Sequence, residues 1–314
     1  MKKQLSVITI QGPTASGKSK FALELAEILK TEIISADSRQ VYRYLNIGTA
    51  KPSRVERQKI PHHLIDIINP DQQFSAGDFC READILIKKI SNKGKIPIIA
   101  GGTGFYFKAL LRGLAKIPPI PEEIKKNVKQ LRDVKGDDYL HEYLQEIDPV
   151  SARRIASRDI QKIIRALEVY RHTGKKISDF WQEQKRDCPY RSFDILLTAE
   201  RSILYEKINS RIDRMLSNGL LNEIENLLQM GYKEEDPGMI SLGYREFYPY
   251  FKGEMNLPEC IEKAKQNTRN FAKRQFTWFK KVDFDLTLTA DSIIFSIIHR
   301  KIDSFIKSVH EELE

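Results

Sequence analysis

The sequence predicts an α/β protein: a parallel sheet flanked by helices, interrupted by a helical insertion. Three observations carry this. Apolar strand-like runs alternate with amphipathic stretches through the N-terminal third. One such run enters its helix through Gly12-Pro13-Thr14-Ala15-Ser16-Gly17-Lys18-Ser19. Past Pro118, Pro119 and Pro121 the composition turns helical and charged. Alternating β and α elements build a parallel sheet covered on its faces.

Leu5 to Ile10 reads as a buried strand. Lys20 to Leu29 reads as a helix packed through Phe21, Leu23, Leu25, Ile28 and Leu29. The loop between them fits G-x-x-x-x-G-K-[ST], and strand, loop, helix is the setting that makes this spacing a phosphate cradle. The expected core is therefore of the P-loop NTPase type. Its glycines let backbone N–H groups turn toward phosphate oxygens. The helix N-terminus adds partial positive charge. Lys18 neutralises a terminal phosphate, and the Ser19 hydroxyl can hold Mg²⁺.

Thr31 to Ser38 is a short strand ending at Asp37. Ligands of open α/β sheets sit beyond the carboxyl ends of strands, so Asp37 either faces the phosphate loop's crevice or caps the next turn. Pro61 to Ile67 reads as another strand. His62 and His63 lack a third ligand at useful spacing, which favours structural roles. Ser75 starts a helix with Phe79, Ala83, Leu86, Ile87 and Ile90 on its apolar face, and Gly94 ends it. Lys95 to Ala100 is a strand running into Gly101-Gly102-Thr103-Gly104 and a helix over Phe105 to Leu111. This second glycine loop reads as a substrate-contact loop with Thr103 supplying a hydroxyl. It lacks the metal-binding carboxylate of a typical ATPase strand end, which argues against a motor or switch GTPase.

The core is expected over 1–115 and 195–314, and the insertion over 116–194. Within the insertion, Lys125, Lys129 and Arg132 form one basic stripe and Arg158, Lys162 and Arg165 another, with Gln161 one turn from Arg165. Such stripes are either solvated faces or phosphate contacts. Tyr190 to Thr198 returns as a strand. Ile203 to Leu216 and Leu220 to Met230 are amphipathic helices, and a glycine turn at Gly243 presents Arg245. The last long helix, from about Leu257, carries Lys265, Arg269 and Lys273 on one face, with Arg274, Lys280 and Lys281 nearby. Its aromatics Phe271, Phe276, Trp278 and Phe279 are expected in the core, its cations facing polyphosphate or RNA.

A chain of 314 residues, 41% hydrophobic, can bury a sizeable core, and a net charge of +9 fits an acidic partner, phosphate or nucleic acid. The three cysteines are scattered without a C-x-x-C, so neither a zinc site nor a disulfide framework is expected, and a reducing cytoplasm is the default. No leader peptide and no membrane span are expected.

Together these stretches resemble the bacterial tRNA dimethylallyltransferases. The resemblance covers nearly the whole chain. It runs through Gly12 to Ser19, Asp37 to Tyr42, Ile47 to Pro52, Pro61 to Asp66, Gly101 to Tyr106, Arg165 to Tyr170, Gly243 to Arg245 and Arg269 to Gln275. It implies transfer of a dimethylallyl group from its diphosphate to N6 of the adenosine 3′-adjacent to the anticodon. By resemblance, Gly12, Pro13, Thr14, Ala15, Ser16, Gly17, Lys18 and Ser19 hold the diphosphate, with Mg²⁺ expected at Ser19 and Arg245 joining them. Asp37, Thr103 and Lys18 are the implied catalytic residues. Asp37, Ser38, Arg39, Gln40, Thr103, Lys125, Gln161, Lys162, Ile163, Ile164 and Arg165 are the implied tRNA contacts. Ser19 stands where many members have Thr, Phe271 varies within its helix, and no zinc is carried over from the eukaryotic members. The implied partners are tRNA and dimethylallyl diphosphate, in a cytoplasmic monomer without membrane contact.

The chemistry is consistent. An adenine amine is a weak nucleophile that a carboxylate at Asp37 would help, and a departing diphosphate concentrates charge that Lys18 and backbone N–H groups would stabilise. A P-loop small-molecule or nucleoside kinase explains Gly12 to Ser19 and Asp37 but not the basic insertion. A non-catalytic RNA-binding switch explains the charge but leaves Thr103 idle.

Overall fold

The computed structural model describes residues 4–183, 189–289 and 300–307; Cys188 lies outside them. The chain divides into two units, Met1–Leu111 with Cys188–Glu314, and Arg112–Asp187.

The first unit opens with β1 (Leu5–Gln11), α1 (Lys18–Ile28), β2 (Ile33–Ser35), α2 (Arg54–Lys59) and β3 (His62–His63). It continues with α3 (Ala76–Ser91), β4 (Ile98–Gly101) and α4 (Gly104–Arg112). The second unit is helical: α5 (Glu122–Ile147), α6 (Pro149–Arg154), α7 (Ile160–Thr173) and α8 (Ile177–Glu183). The chain then returns through β5 (Tyr190–Thr198), α9 (Arg201–Ser217), α10 (Leu220–Gln229), α11 (Tyr248–Phe251), α12 (Leu257–Phe279) and β6 (Leu286–Thr289).

The sheet order is β3-β2-β4-β1-β5-β6, with every neighbouring pair parallel. β1 lies between β4 and β5 and is buried from Ser6 to Gln11, which explains its largely apolar run. α1 buries Phe21, Ala22, Leu25 and Ala26 in one cluster with Ile8, Ile10, Ile98, Ile195 and Leu197. α3 starts at the expected Ser75, whose side chain and Asp78 form a capping box, and it buries Phe79, Ala83, Ile87 and Ile90. A second core gathers Ile212, Met215, Ile224 and Leu227 from α9 and α10 around Tyr244 and Phe247. Among the described residues no helix is long and apolar enough to cross a membrane.

Two expectations change. β3 is two residues long, shorter than Pro61 to Ile67, because the chain turns through left-handed Leu64 and Asp66 directly after it. Its histidines have structural partners: His62 Nδ1 lies 2.7 Å from the Ile60 carbonyl and His63 Nε2 lies 2.8 Å from Glu32 Oε2. The insertion boundary at 194 falls inside β5, which already pairs with β1 from Tyr190; the helical unit is Arg112–Asp187.

The helical unit has its own core of Val128, Leu140, Leu144, Ile163, Leu167 and Val169. α5 breaks at Gly136, where φ is 84° and ψ is 174°. The buried Asp148 carboxylate accepts the Ser151 and Ser178 N–H groups at 3.0 Å each, tying the starts of α6 and α8 together.

Candidate active site

The carboxyl ends of β1, β2 and β4 bring three segments to one edge of the sheet. β1 ends in the loop Gly12–Ser19. A Cβ on Gly12 would lie 2.1 Å from the Leu197 carbonyl, so this loop can start beside β5 only from a glycine. The chain is left-handed at Ala15 (φ 63°) and Gly17 (φ 90°). Ser16 N–H donates to the Pro13 carbonyl at 3.3 Å, and Lys18 Nζ donates to the same oxygen at 2.7 Å. The first N–H groups of α1 have no intrahelical acceptors and are available to an anion.

β2 ends at Ser35, and Asp37, two residues beyond it, does both things its sequence position allows. Its Oδ1 accepts the Arg39 N–H at 2.8 Å, and it lines the crevice opposite the phosphate loop. A carboxylate has further lone pairs, so the cap leaves capacity to accept a proton. β4 runs into Gly101–Gly104. A Cβ on Gly101 would lie 2.1 Å from the Ala36 carbonyl, and Thr103 Oγ1 accepts the Ser38 N–H at 3.0 Å. Asp37 and Thr103 thus sit on adjoining, mutually bonded segments.

Two helices close the site. α9 contributes Arg211, whose Nη1 donates to Thr14 Oγ1 at 3.4 Å, and buried Ile208, Ile212 and Met215. α12 contributes Phe271, Arg274 and Gln275. The resulting crevice measures about 400 Å³. A larger basin of about 1100 Å³ also touches the phosphate loop and shares Lys18, Ser19, Ala50, Arg211 and Met215 with it. Burial pulls the Lys18 ammonium down to about 8, against the charge of Asp37 and with that of Arg211. Burial also lowers the Arg211 pKa, with Asp37 opposing it. Two cations facing one carboxylate leave a site that favours a further anion.

The family of IPP transferases matches residues 40–282 of this sequence. The chain belongs to this family. A tRNA dimethylallyltransferase of Syntrophobacter fumaroxidans is 46% identical over 278 residues, covering 88% of this chain and 81% of its own. The tRNA dimethylallyltransferase 1 of Syntrophotalea carbinolica is 41% identical over 97% of both chains. Among solved structures, the tRNA isopentenylpyrophosphate transferase of Staphylococcus epidermidis shares 39% identity, covering 97% of this chain and 99% of its own with a TM-score of 0.70. A eukaryotic dimethylallyltransferase captured acting on tRNA shares 29% identity, covering 97% of this chain and 80% of its own with a TM-score of 0.84.

In this IPP transferase, Thr14, Lys18, Ser19, Asp37, Ser38, Arg39, Gln40, Thr103 and Arg245 line one crevice. The Arg245 guanidinium is held by the buried Glu246, whose Oε1 accepts from Nε at 2.9 Å and whose Oε2 accepts the Gly243 N–H at 2.8 Å. Ser16 is fully buried, and its N–H is held by the Pro13 carbonyl. Gln40 is committed inward: Oε1 accepts from Ser35 Oγ at 3.0 Å and Nε2 donates to the Ala50 carbonyl at 3.3 Å.

Lys125, Gln161, Lys162, Ile163, Ile164 and Arg165 belong to the helical unit. Ile163 is a correction: it is fully buried in that unit's core, which withdraws its side chain from any RNA. Lys125 pairs with Glu122 at 2.5 Å, Lys162 pairs with Asp159, and Arg165 reaches Glu168 at 3.4 Å. The first two pairs are largely exposed, so they are weak and can be exchanged for phosphates, whereas Glu168 is buried beneath Arg165.

α12 also departs from expectation. Phe279 is buried, but Phe271 is half-buried on the crevice wall. Lys265 bonds Asp213 at 2.7 Å and Arg269 bonds Asn209 at 2.7 Å, so both face α9 rather than an open polyanion surface. The cation that does line the crevice is Arg274, with its guanidinium 5.8 Å from the Phe271 ring. Sequence reasoning missed Arg211 altogether. Its available signal was spacing: Ile208, Ile212 and Met215 are apolar at helical intervals, and Arg211 breaks that face with a charge.

Proposed function

We propose that this protein transfers a dimethylallyl group from dimethylallyl diphosphate to N6 of the adenosine 3′-adjacent to the anticodon in tRNA, releasing diphosphate. The observation that carries this is the juxtaposition across one crevice of an anion-holding group, Lys18, Ser19 and Arg211, with a proton-accepting one, Asp37 beside Thr103. N6 attacks the allylic C1 as the C1–O bond breaks. Diphosphate leaves with the bonding electrons, and the N6 proton passes to Asp37. Lys18, Arg211 and the first N–H groups of α1 stabilise the charge that builds on the leaving oxygen. A positioned base contributes about 10²–10⁴ in rate.

Mg²⁺ fits these residues. Ser19 presents an exposed hydroxyl at the cradle, while no cluster of three or more His, Cys, Asp or Glu able to hold a metal occurs among the described residues. That donor set suits an ion that keeps waters and binds chiefly through substrate phosphates. It would supply further neutralisation of the diphosphate.

The adenosine must leave its stack to reach the crevice, at a cost of a few kcal/mol. Phe271 and Arg274 are placed to take its face in return. The cations of the helical unit, half-buried Lys125 and exposed Lys162 and Arg165, grip phosphates and make binding salt-dependent. A monomer suffices for this chemistry, acting in the cytoplasm where its RNA is.

The test is single-turnover transfer from radiolabelled dimethylallyl diphosphate to unmodified tRNA, beside a reaction given ATP alone. Label at that adenosine is the expected result. ATP consumption without labelled RNA would replace this function with the kinase one.

A further inference from the structure

The phosphate loop and the second glycine loop are joined by one side chain. Gln275, on α12, is 7% exposed. Its Oε1 accepts the Thr14 N–H at 2.8 Å, and its Nε2 donates to the Gly102 carbonyl at 2.8 Å. The backbone partners fix the orientation of the amide, since an N–H needs the oxygen and a carbonyl needs the nitrogen. Gly102 leaves room for it: a Cβ there would lie 2.7 Å from Nε2.

The helix that carries Gln275 is itself held on both sides. Toward α9, Arg269 Nη1 donates to Asn209 at 2.7 Å and Lys265 pairs with Asp213 at 2.7 Å. Toward α4, Trp278 packs so closely on Gly104 that a Cβ would lie 2.1 Å from Nε1. α12 thereby links the helix of Arg211, the loop of Lys18 and the loop of Thr103.

We propose that Gln275 is a positioning residue that sets the separation between the diphosphate cradle and the amine-handling loop. It does so by spanning Thr14 N–H and the Gly102 carbonyl. This rests on the transfer reaction proposed above, in which C1 is tethered through one loop and N6 meets Asp37 and Thr103 at the other. Reacting atoms must approach to near contact, and a misplacement of about 1 Å can cost about 10²-fold in rate. Where the loops drift apart, a C–O bond that still breaks is intercepted by water. Water then bonds to C1, loses a proton and gives dimethylallyl alcohol and diphosphate without RNA labelling.

The experiment measures, in single turnover, label entering tRNA, diphosphate released and affinity for dimethylallyl diphosphate. Q275L removes both hydrogen bonds at similar volume. G102A keeps Gln275 and has no left-handed backbone to strain, but pushes the amide away. Each variant is expected to transfer about 10²-fold more slowly, with diphosphate released in excess of label transferred and donor affinity close to wild type. The double variant is expected to be no slower than either single one, because both break the same link. Release and transfer falling in step with donor affinity, or strictly additive losses, would make Gln275 a merely structural residue and overturn the proposal. Wild-type protein that labels no tRNA would overturn the transfer reaction and this role with it. Wild-type transfer with Q275L still coupled would overturn this role alone.

Discussion

Gly12–Ser19 and Gly101–Gly104 both leave a parallel strand and both lead into a helix, β1 into α1 and β4 into α4, yet they are held differently. The first is shaped mostly from within. Ser16 N–H and Lys18 Nζ return to the Pro13 carbonyl, Phe21 N–H returns to Gly17, and two left-handed residues make the turn. The second is shaped by neighbours distant in sequence. Ala36 accepts the Thr103 N–H at 3.2 Å, Ser38 donates to Thr103 Oγ1, Gln275 holds the Gly102 carbonyl, and Trp278 covers Gly104. The phosphate loop commits the Thr14 and Ser16 N–H groups to holding its shape and leaves those that open α1 to an anion, so its own spacing largely defines it. A loop that aims a side chain can commit its backbone elsewhere.

In the proposed reaction the two loops divide the labour, and the largest effect should come from disabling the half assigned to the amine. Asp37→Asn keeps an oxygen to accept the Arg39 N–H but cannot take the amine's proton. Transfer should fall about 10²–10⁴-fold. Affinity for tRNA should hold, and dimethylallyl diphosphate should bind as well or better, because a negative charge near Lys18 and Arg211 is gone. Rapid-quench rates with parallel binding titrations check this. Transfer and binding lost together would remove Asp37 from the base role.

Arg211 tests the diphosphate-holding half. Arg211→Ala removes a cation that faces both the crevice and the larger basin. A hydrogen bond to a charged group contributes about 1.5–3 kcal/mol, so diphosphate affinity should fall roughly 10–100-fold. The measurement is calorimetric binding of inorganic diphosphate without RNA. Unchanged affinity would place Arg211 on the RNA side instead.

How legible each loop was follows from how it is held. The phosphate loop showed itself because its glycines, lysine and hydroxyl fall at fixed intervals directly after β1. The second loop showed only that it exists and that Thr103 is in it. Its link to Gln275 spans 173 positions and leaves no local pattern. Arg211 was hidden for a related reason. An arginine on an amphipathic helix looks solvated unless one knows which face the sheet edge turns toward it. The strands and most helices were readable because burial on both faces imposes continuous or periodic apolar runs. The buried Ile163 and the crevice-facing Phe271 show the limit of that logic, since apolar periodicity reports a helix face without saying what lies opposite.

Lys18 extends the contrast to pH. Burial depresses its pKa to about 8, so its charge is lost as pH rises through that value. Diphosphate needs the charged form. Affinity should therefore be full below pH 8 and decline above it, approaching tenfold per pH unit until binding itself restores the proton. Lys18→Ala should bind more weakly and lose this dependence. A wild-type profile that stays flat well above the Lys18 pKa would mean that the loop does not rely on Lys18 for charge.

The smallest effect separates the two loops by stability alone. Gly17 has φ 90° and nothing within 4 Å of an added Cβ, so Gly17→Ala should cost only the left-handed backbone, about 1–2 kcal/mol. Gly104 has no left-handed φ, but its added methyl meets Trp278, an overpacking cost of about 1–3 kcal/mol. The two costs overlap in size and differ in origin. Replacing Trp278 by Leu should relieve Gly104→Ala and leave the cost of Gly17→Ala unchanged, read as differences in denaturation midpoint within each background. Equal costs for Gly104→Ala with and without the indole would mean that the second loop is shaped from within after all, as the phosphate loop is.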